Sequence, residues 1–319
     1  MAAARRAGTE TPGTGVIVRD TSSMNGSAAA GPDPAVISEH RLRTPAPALR
    51  GLVDWYAGYR DVGVPPAHHR GLPSPGLTVI FTLDDKLTIA EHPDPAQPAG
   101  SFDTLVGGLH TRPALISHEG RQSGIQLGLS PLGSRVLLGM PAAELAGIDV
   151  PGHEVLGRFA TEVRDRLRGA VTWDERFATL DQALLARMRL ADERAAISAE
   201  VSRAWQRLLQ SGGTTSVADL AAETGWSDRH LRARFRAETG LAPKAAARVI
   251  RFDRARHILQ RRAVAGEALR LADLAASCGY FDQAHLDREF GLLAGCGPTT
   301  WIAAEFRNLR LSPDQPLRA

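Results

Sequence analysis

Residues 225–235 read GWSDRHLRARF, and residues 279–290 read GYFDQAHLDREF. The first phrase is a turn followed by an arginine-studded helix. The second repeats it in nearly neutral chemistry. Working outward, residues 216–228 (SVADLAAETGWSD) and 270–282 (RLADLAASCGYFD) are identical at seven of thirteen positions, at an offset of 54. Each copy then reaches a phenylalanine, Phe235 or Phe290, and eight residues later a proline, Pro243 or Pro298. Gly, Phe and Pro keep step in both copies, which an alanine-rich composition alone would not arrange.

Each copy has the grammar of a helix-turn-helix. Leu220 and Leu274 mark the buried face of a short first helix, with small alanines beside them. Gly225 and Gly279 fall where the chain leaves that helix, a place that favours positive φ. Trp226 or Tyr280 packs under the turn. Ser227 caps the next helix in the first copy and Asp282 in the second. Leu231 and Phe235 are four apart, as are Leu286 and Phe290, so each pair forms one inward stripe.

That stripe fixes what points outward. In the first copy Arg229, Arg232, Ala233 and Arg236 share the opposite face, flanked by His230 and Arg234. Arginine bridges guanine O6 and N7 in the major groove and also binds phosphate. In the second copy the outward residues are Gln283, Ala284, Asp287 and Arg288, with His285 beside them. Gln283 suits adenine and Arg288 suits guanine or phosphate, but Asp287 and Glu289 are expected to repel phosphate. Between the copies, residues 244–262 form one amphipathic helix with Val249, Phe252, Ala255 and Leu259 inward. Arg248, Arg251, Arg254, Arg256, Arg261 and Arg262 supply charge elsewhere on it.

The bulk numbers agree. Residues 1–199 hold 20 Lys/Arg against 22 Asp/Glu, and residues 200–319 hold 18 against 13. The positive balance therefore lies in the C-terminal third, where a phosphate-facing module needs it. Two cysteines, Cys278 and Cys296, build no disulfide framework or metal motif. No apolar run follows Arg5 and Arg6, and none reaches a membrane span. The expectation is a cytoplasmic protein without membrane contact.

Residues 200–306 resemble the DNA-binding domain of the AraC/XylS family of bacterial transcription regulators. The likeness is carried by ADLAAETGWSDRHLRARFRAETGLAPKAAARVIRFDRA and LADLAASCGYFDQAHLDREFGLLAGCGPTTWI. The second unit also has the family's extra residue between turn glycine and Phe: eleven steps from Gly279 to Phe290, ten from Gly225 to Phe235. The resemblance implies seven helices and two helix-turn-helix units. By position it implies base contacts from Arg229 and Arg232, and from Gln283, Asp287 or Arg288. Where the family usually has basic residues after Phe290, this chain has GLL. Double-stranded DNA is the partner implied, with RNA polymerase, a small-molecule effector and a second copy of the chain as further candidates.

Upstream the pattern changes. Residues 1–35 lack periodicity and are expected to be a disordered tail. Residues 50–130 carry short apolar runs (LVDWYAGY, LTVIFTL, KLTIA, TLVGGL, ALISHE, GIQLGLS) between Pro/Gly/Asp clusters, the mark of an antiparallel β domain with bounds expected at 36–150. The resemblance implies a sensor here, often a cupin-like barrel. Residues 50–150 are similar to actinobacterial members but name no ligand. Residues 151–191 read as helices, for dimerisation or signal relay, or simply packed on the barrel. Thr172 and Glu175 have capping-box spacing.

The expected architecture is α+β. A β-rich sensor domain is followed by helices and by an all-α domain at 192–310. That domain holds one helix-turn-helix at 216–238, a connecting helix at 244–262, a second unit at 270–292, and a tail at 311–319. His68, His69, His92, His110 and His118, with Asp84, Asp85 and Glu119, are the candidates for a cupin-type metal site. Neighbours on a strand point to opposite faces, so His68 and His69 do not ligate together. No cofactor, metal or catalytic residue is expected. Two rivals remain: a cupin-type enzyme fused to a DNA-binding module, and a regulator whose β domain takes no effector.

Overall fold

The computed structural model describes residues 36–191, 197–267 and 269–311, with side chains as far as residue 305. The tails expected at 1–35 and 311–319 lie outside the described residues, apart from Leu311 at the end of the last helix. Ten strands come first: β1 (Ile37–Arg43), β2 (Val53–Val62), β3 (Ala67–Gly71), β4 (Leu77–Thr82), β5 (Leu87–Glu91), β6 (Gly100–Phe102), β7 (Thr104–Gly107), β8 (Ala114–His118), β9 (Arg121–Leu129) and β10 (Asp149–Pro151). They form two antiparallel sheets, ordered β1-β2-β9-β4-β7-β10 and β3-β8-β5-β6. Ile80 and Leu105 from the first sheet pack with Leu87, Ile89, Ala114 and Ile116 from the second.

The first sheet's other face is covered by helices. α1 (Pro131–Leu137) and a 3-10 turn (Ala142–Leu145) lead to α2 (Gly152–Leu156), α3 (Arg158–Gly169) and α4 (Trp173–Leu190). Residues 152–169 are not one continuous helix: Gly157, with φ of +60°, ends α2 and α3 starts after it. The capping box of α4 forms as expected, Thr172 accepting from the Glu175 N–H and Glu175 reaching back to Thr172. Trp173 sits so close to Gly58 of β2 that a Cβ there would lie 2.5 Å from its ring. Asp181 of α4 is buried and accepts from Tyr56 Oη and from Ala46 N–H, at 3.0 and 2.9 Å. These contacts satisfy the carboxylate and fix α4 in register on β2. Among the described residues of α3 and α4, the apolar faces turn to the sheet; only Leu190 is a large exposed hydrophobe.

Seven helices complete the described chain: α5 (Ala199–Gln210), α6 (Val217–Thr224), α7 (Asp228–Thr239), α8 (Pro243–Ala265), α9 (Leu271–Ser277), α10 (Gln283–Ala294) and α11 (Pro298–Leu311). Pro243 and Pro298 open α8 and α11, the position where a missing N–H costs nothing. Leu220, Leu231 and Phe235 of the first helix-turn-helix belong to the same contiguous core as Val79 of the sheet and Leu180 of α4. Leu274, Leu286 and Phe290 of the second build a separate core with Phe252 and Trp301. The two units are therefore anchored differently.

Candidate nucleic-acid interface

In the first unit α6 ends at Gly225, left-handed with φ of +72°. Ser227 caps α7 by accepting from the His230 N–H at 3.3 Å. The Trp226 ring meets His230 edge-on at 4.6 Å, bracing the turn. Phe235 packs inward on Trp205 of α5, with centroids 5.9 Å apart. Ser227, Arg229, His230, Arg232, Ala233, Arg234 and Arg236 are all exposed, as the inward stripe requires. Arg232 lies 3.5 Å from Asp228 one turn earlier, a surface pair worth little. Arg229, Arg234 and Arg236 have no ion pair among the described residues. The N-terminal half of α7 thus presents unneutralised guanidinium groups on a capped, rigid helix.

The second unit repeats the wiring. Gly279 has φ of +73°, and Asp282 caps α10 by accepting from the His285 N–H at 2.7 Å. Tyr280 meets His285 edge-on at 5.3 Å. Phe290 packs on Phe252 and Trp301. Gln283, Ala284 and Arg288 are exposed, while His285 and Asp287 are half-buried. One expectation is corrected here. Glu289 does not face phosphate: it is buried and held 2.8 Å from Arg248 of α8. Its charge is answered inside the domain, so Asp287 alone opposes DNA on this helix. Ser227 and Asp282 are the caps, as expected, so Asp228 falls one residue later as the first residue of α7.

The arginines of α8 are mostly structural. Arg248 holds Glu289, Arg251 donates to the Gly213 carbonyl at 2.9 Å, and Arg256 holds Asp253 at 2.5 Å. Burial would raise the Asp253 carboxyl, but His257 and Arg256 beside it hold it far below the usual carboxylate range.

One contact escaped sequence reasoning. Ala233, Arg236, Ala237 and Gly240, one face of α7's C-terminal half, line a groove of about 450 Å³ with Ala143 and Ala146 of the N-terminal domain. Arg135 of α1 grips Glu238 of α7 with two bonds, Nε at 2.7 Å and Nη2 at 3.1 Å. Gly240 closes the helix at φ of +82°, and a Cβ there would lie 2.4 Å from that of Ala146. The recognition helix is thus open at its start and docked at its end. Nothing local marks Arg135 and Glu238 as partners, since 103 residues separate them.

In the N-terminal domain His68 is exposed and His69 is turned inward on opposite faces of β3, as alternation requires. His69 is pushed down to about 4 by burial and by His118, whose ring lies 6.3 Å away. His92 Nδ1 lies 2.8 Å from Asp149, and His110 Nδ1 lies 2.5 Å from the Arg112 carbonyl. No group of three His, Cys, Asp or Glu side chains among the described residues is arranged to hold a metal ion. A polar crevice of about 470 Å³ beside the α3–α4 turn is lined by Arg60, Arg168, Arg176, Asp84, Asp165 and Ser123. Its guanidinium groups can pair with a carboxylate or phosphate. No helix among the described residues is long and apolar enough to cross a membrane.

Residues 220–304 match a family model described as a helix-turn-helix domain, and the two-unit wiring above lies within that span. The C-terminal domain is of the AraC type. This AraC-type domain is a DNA-binding domain, and the chain that carries it is a DNA-binding transcription regulator. Residues 41–151 match a second family model, described as a domain of unknown function (DUF6597). No curated protein matches the chain. Among solved structures, ToxT from Vibrio cholerae aligns at 10% identity and TM-score 0.45, covering 78% of this chain and 97% of that one. The C-terminal domain of AraT, a response regulator from Geobacillus stearothermophilus, aligns at 20% identity and TM-score 0.31 over 38% and 93%. The AraC-like transcriptional activator CuxR aligns at 15% identity and TM-score 0.27 over 70% and 87%.

Proposed function

We propose that this regulator reads double-stranded DNA with the open half of α7 in one major groove and with α10 in the next. Ser227, Arg229, His230, Arg232 and Arg234 would meet bases and phosphates first. Gln283 and Arg288 would follow from the second unit. The observation that carries the reading is the face of α7, where arginines stand exposed at the start of a helix whose opposite side is core. Two recognition helices on one DNA face need a separation near ~34 Å, one helical turn. A connecting helix the length of α8 suits that spacing.

In this reading the N-terminal domain receives a signal and transmits it through the groove at Ala143 and Ala146. A small molecule, or a partner such as RNA polymerase or a second copy, would bias how firmly α7 is held there. Such a ligand shifts the equilibrium only by its differing affinity for the two arrangements. Acting on DNA, the chain would work in the cytoplasm and would carry out no reaction of its own.

Selection of bound sequences from random DNA tests this. The expected result is a defined site with two contacted segments. Binding that shows no sequence preference at moderate salt would remove the reading.

A further inference from the structure

The second unit has one residue more than the first between its turn glycine and its core phenylalanine, and the structure identifies which. Trp226 and Tyr280 do the same work, each meeting edge-on the histidine that follows the cap by three residues. Ser227 and Asp282 are equivalent caps, each accepting the N–H of that histidine. What remains between Tyr280 and the cap is Phe281, which has no counterpart in the first unit.

Phe281 is 92% exposed. An apolar residue just before a helix cap ordinarily folds over the fourth helical residue. That residue is Leu286, which is fully buried without it. Nor is Phe281 loose. Its neighbour Tyr280 is buried, and its own N–H donates to His285 Nδ1 at 3.3 Å. The backbone is clamped while the ring is left in water. Beside it, Gln283 and Ala284 are exposed at the same end of α10.

The start of a recognition helix is where side chains meet base edges. The one apolar feature displayed by the major groove is the C5-methyl of thymine, which phenylalanine suits. We infer that Phe281 is a base-reading residue, its ring packing on the methyl group of a thymine next to the base that faces Gln283. The inference rests on α10 entering the groove. It gives the second unit a specificity that its charges do not supply. A docking site for a protein partner is the other use of such a ring, but its place between the turn and Gln283 favours DNA.

The test uses the full chain and its selected site. Each thymine of the second half-site is replaced in turn by deoxyuridine, which lacks only the methyl group. One replacement should weaken the wild-type chain about fourfold, the worth of one buried methyl. The same replacement should leave Phe281→Ala unaffected, and Phe281→Ala should keep its melting temperature because the ring touches no core. If no replacement alters wild-type binding, or if every replacement that does so weakens both proteins equally, the inference is overturned. Unchanged DNA binding by Phe281→Ala on every site would overturn it too, in favour of a protein contact. In each of those cases sequence-specific binding itself survives, so the broader reading fails separately, only if the wild type selects no sequence at all.

Discussion

At the scale of single residues, recognition by α7 depends on which arginines face out. Arg229 is exposed near the start of α7 with no ion pair among the described residues. Arg229→Ala should cost ~1–3 kcal/mol at one base position and relax preference there. Uniform weakening of all sequences, measured by competition binding, would make it a phosphate contact instead. Much at this scale was legible beforehand. Ser227 and Asp282 cap as their spacing implied, because caps depend on the next three residues alone. Glu289 reads as phosphate-facing in sequence because its partner Arg248 lies 41 residues away on another helix. His230 and His285 also brace a turn aromatic, a pairing that only three-dimensional geometry displays.

At the scale of elements, glycines separate local strain from packing. Gly225 has φ of +72° and open space where a Cβ would go. Gly240 has φ of +82° and a collision with Ala146 as well. Gly225→Ala should therefore lose about 1 kcal/mol, from backbone strain alone. Gly240→Ala should lose roughly 1–3 kcal/mol more, because α7 must move off the Ala142–Leu145 turn. Urea unfolding of the two variants decides it, and equal losses would show that the α7 dock yields freely. The strands read from apolar runs are present: β2, β4, β5, β7, β8 and β9. β1 (ISEHRLR), β3 (AHHRG), β6 (GSF) and β10 (DVP) match none of those runs. All four are edge strands, and a short or polar edge strand carries little hydrophobic pattern to read.

At the scale of the whole molecule, the N-terminal domain and the first recognition helix share one core and one two-bonded ion pair. Arg135→Ala strands the Glu238 carboxylate, only 8% exposed, without its partner. It should lower stability by about 2 kcal/mol, read as a lower melting temperature. Operator affinity should rise at unchanged sequence preference, since the end of α7 is no longer held to α1 through Glu238. No change in affinity would mean that the dock does not restrain α7. None of this coupling was legible in the sequence, where the two domains read as separate blocks.

The central claim is an unequal division of labour between two copies of one motif. The buried Glu289 narrows the imbalance but does not remove it, since Asp287 and the absence of basic residues after Phe290 remain. The direct measurement is equilibrium binding of three proteins to the selected sequence: the wild type, the Arg229→Ala/Arg232→Ala variant and the Gln283→Ala/Arg288→Ala variant. The account predicts that the first pair abolishes specific binding while the second weakens it much less. Equal losses from the two pairs would contradict it.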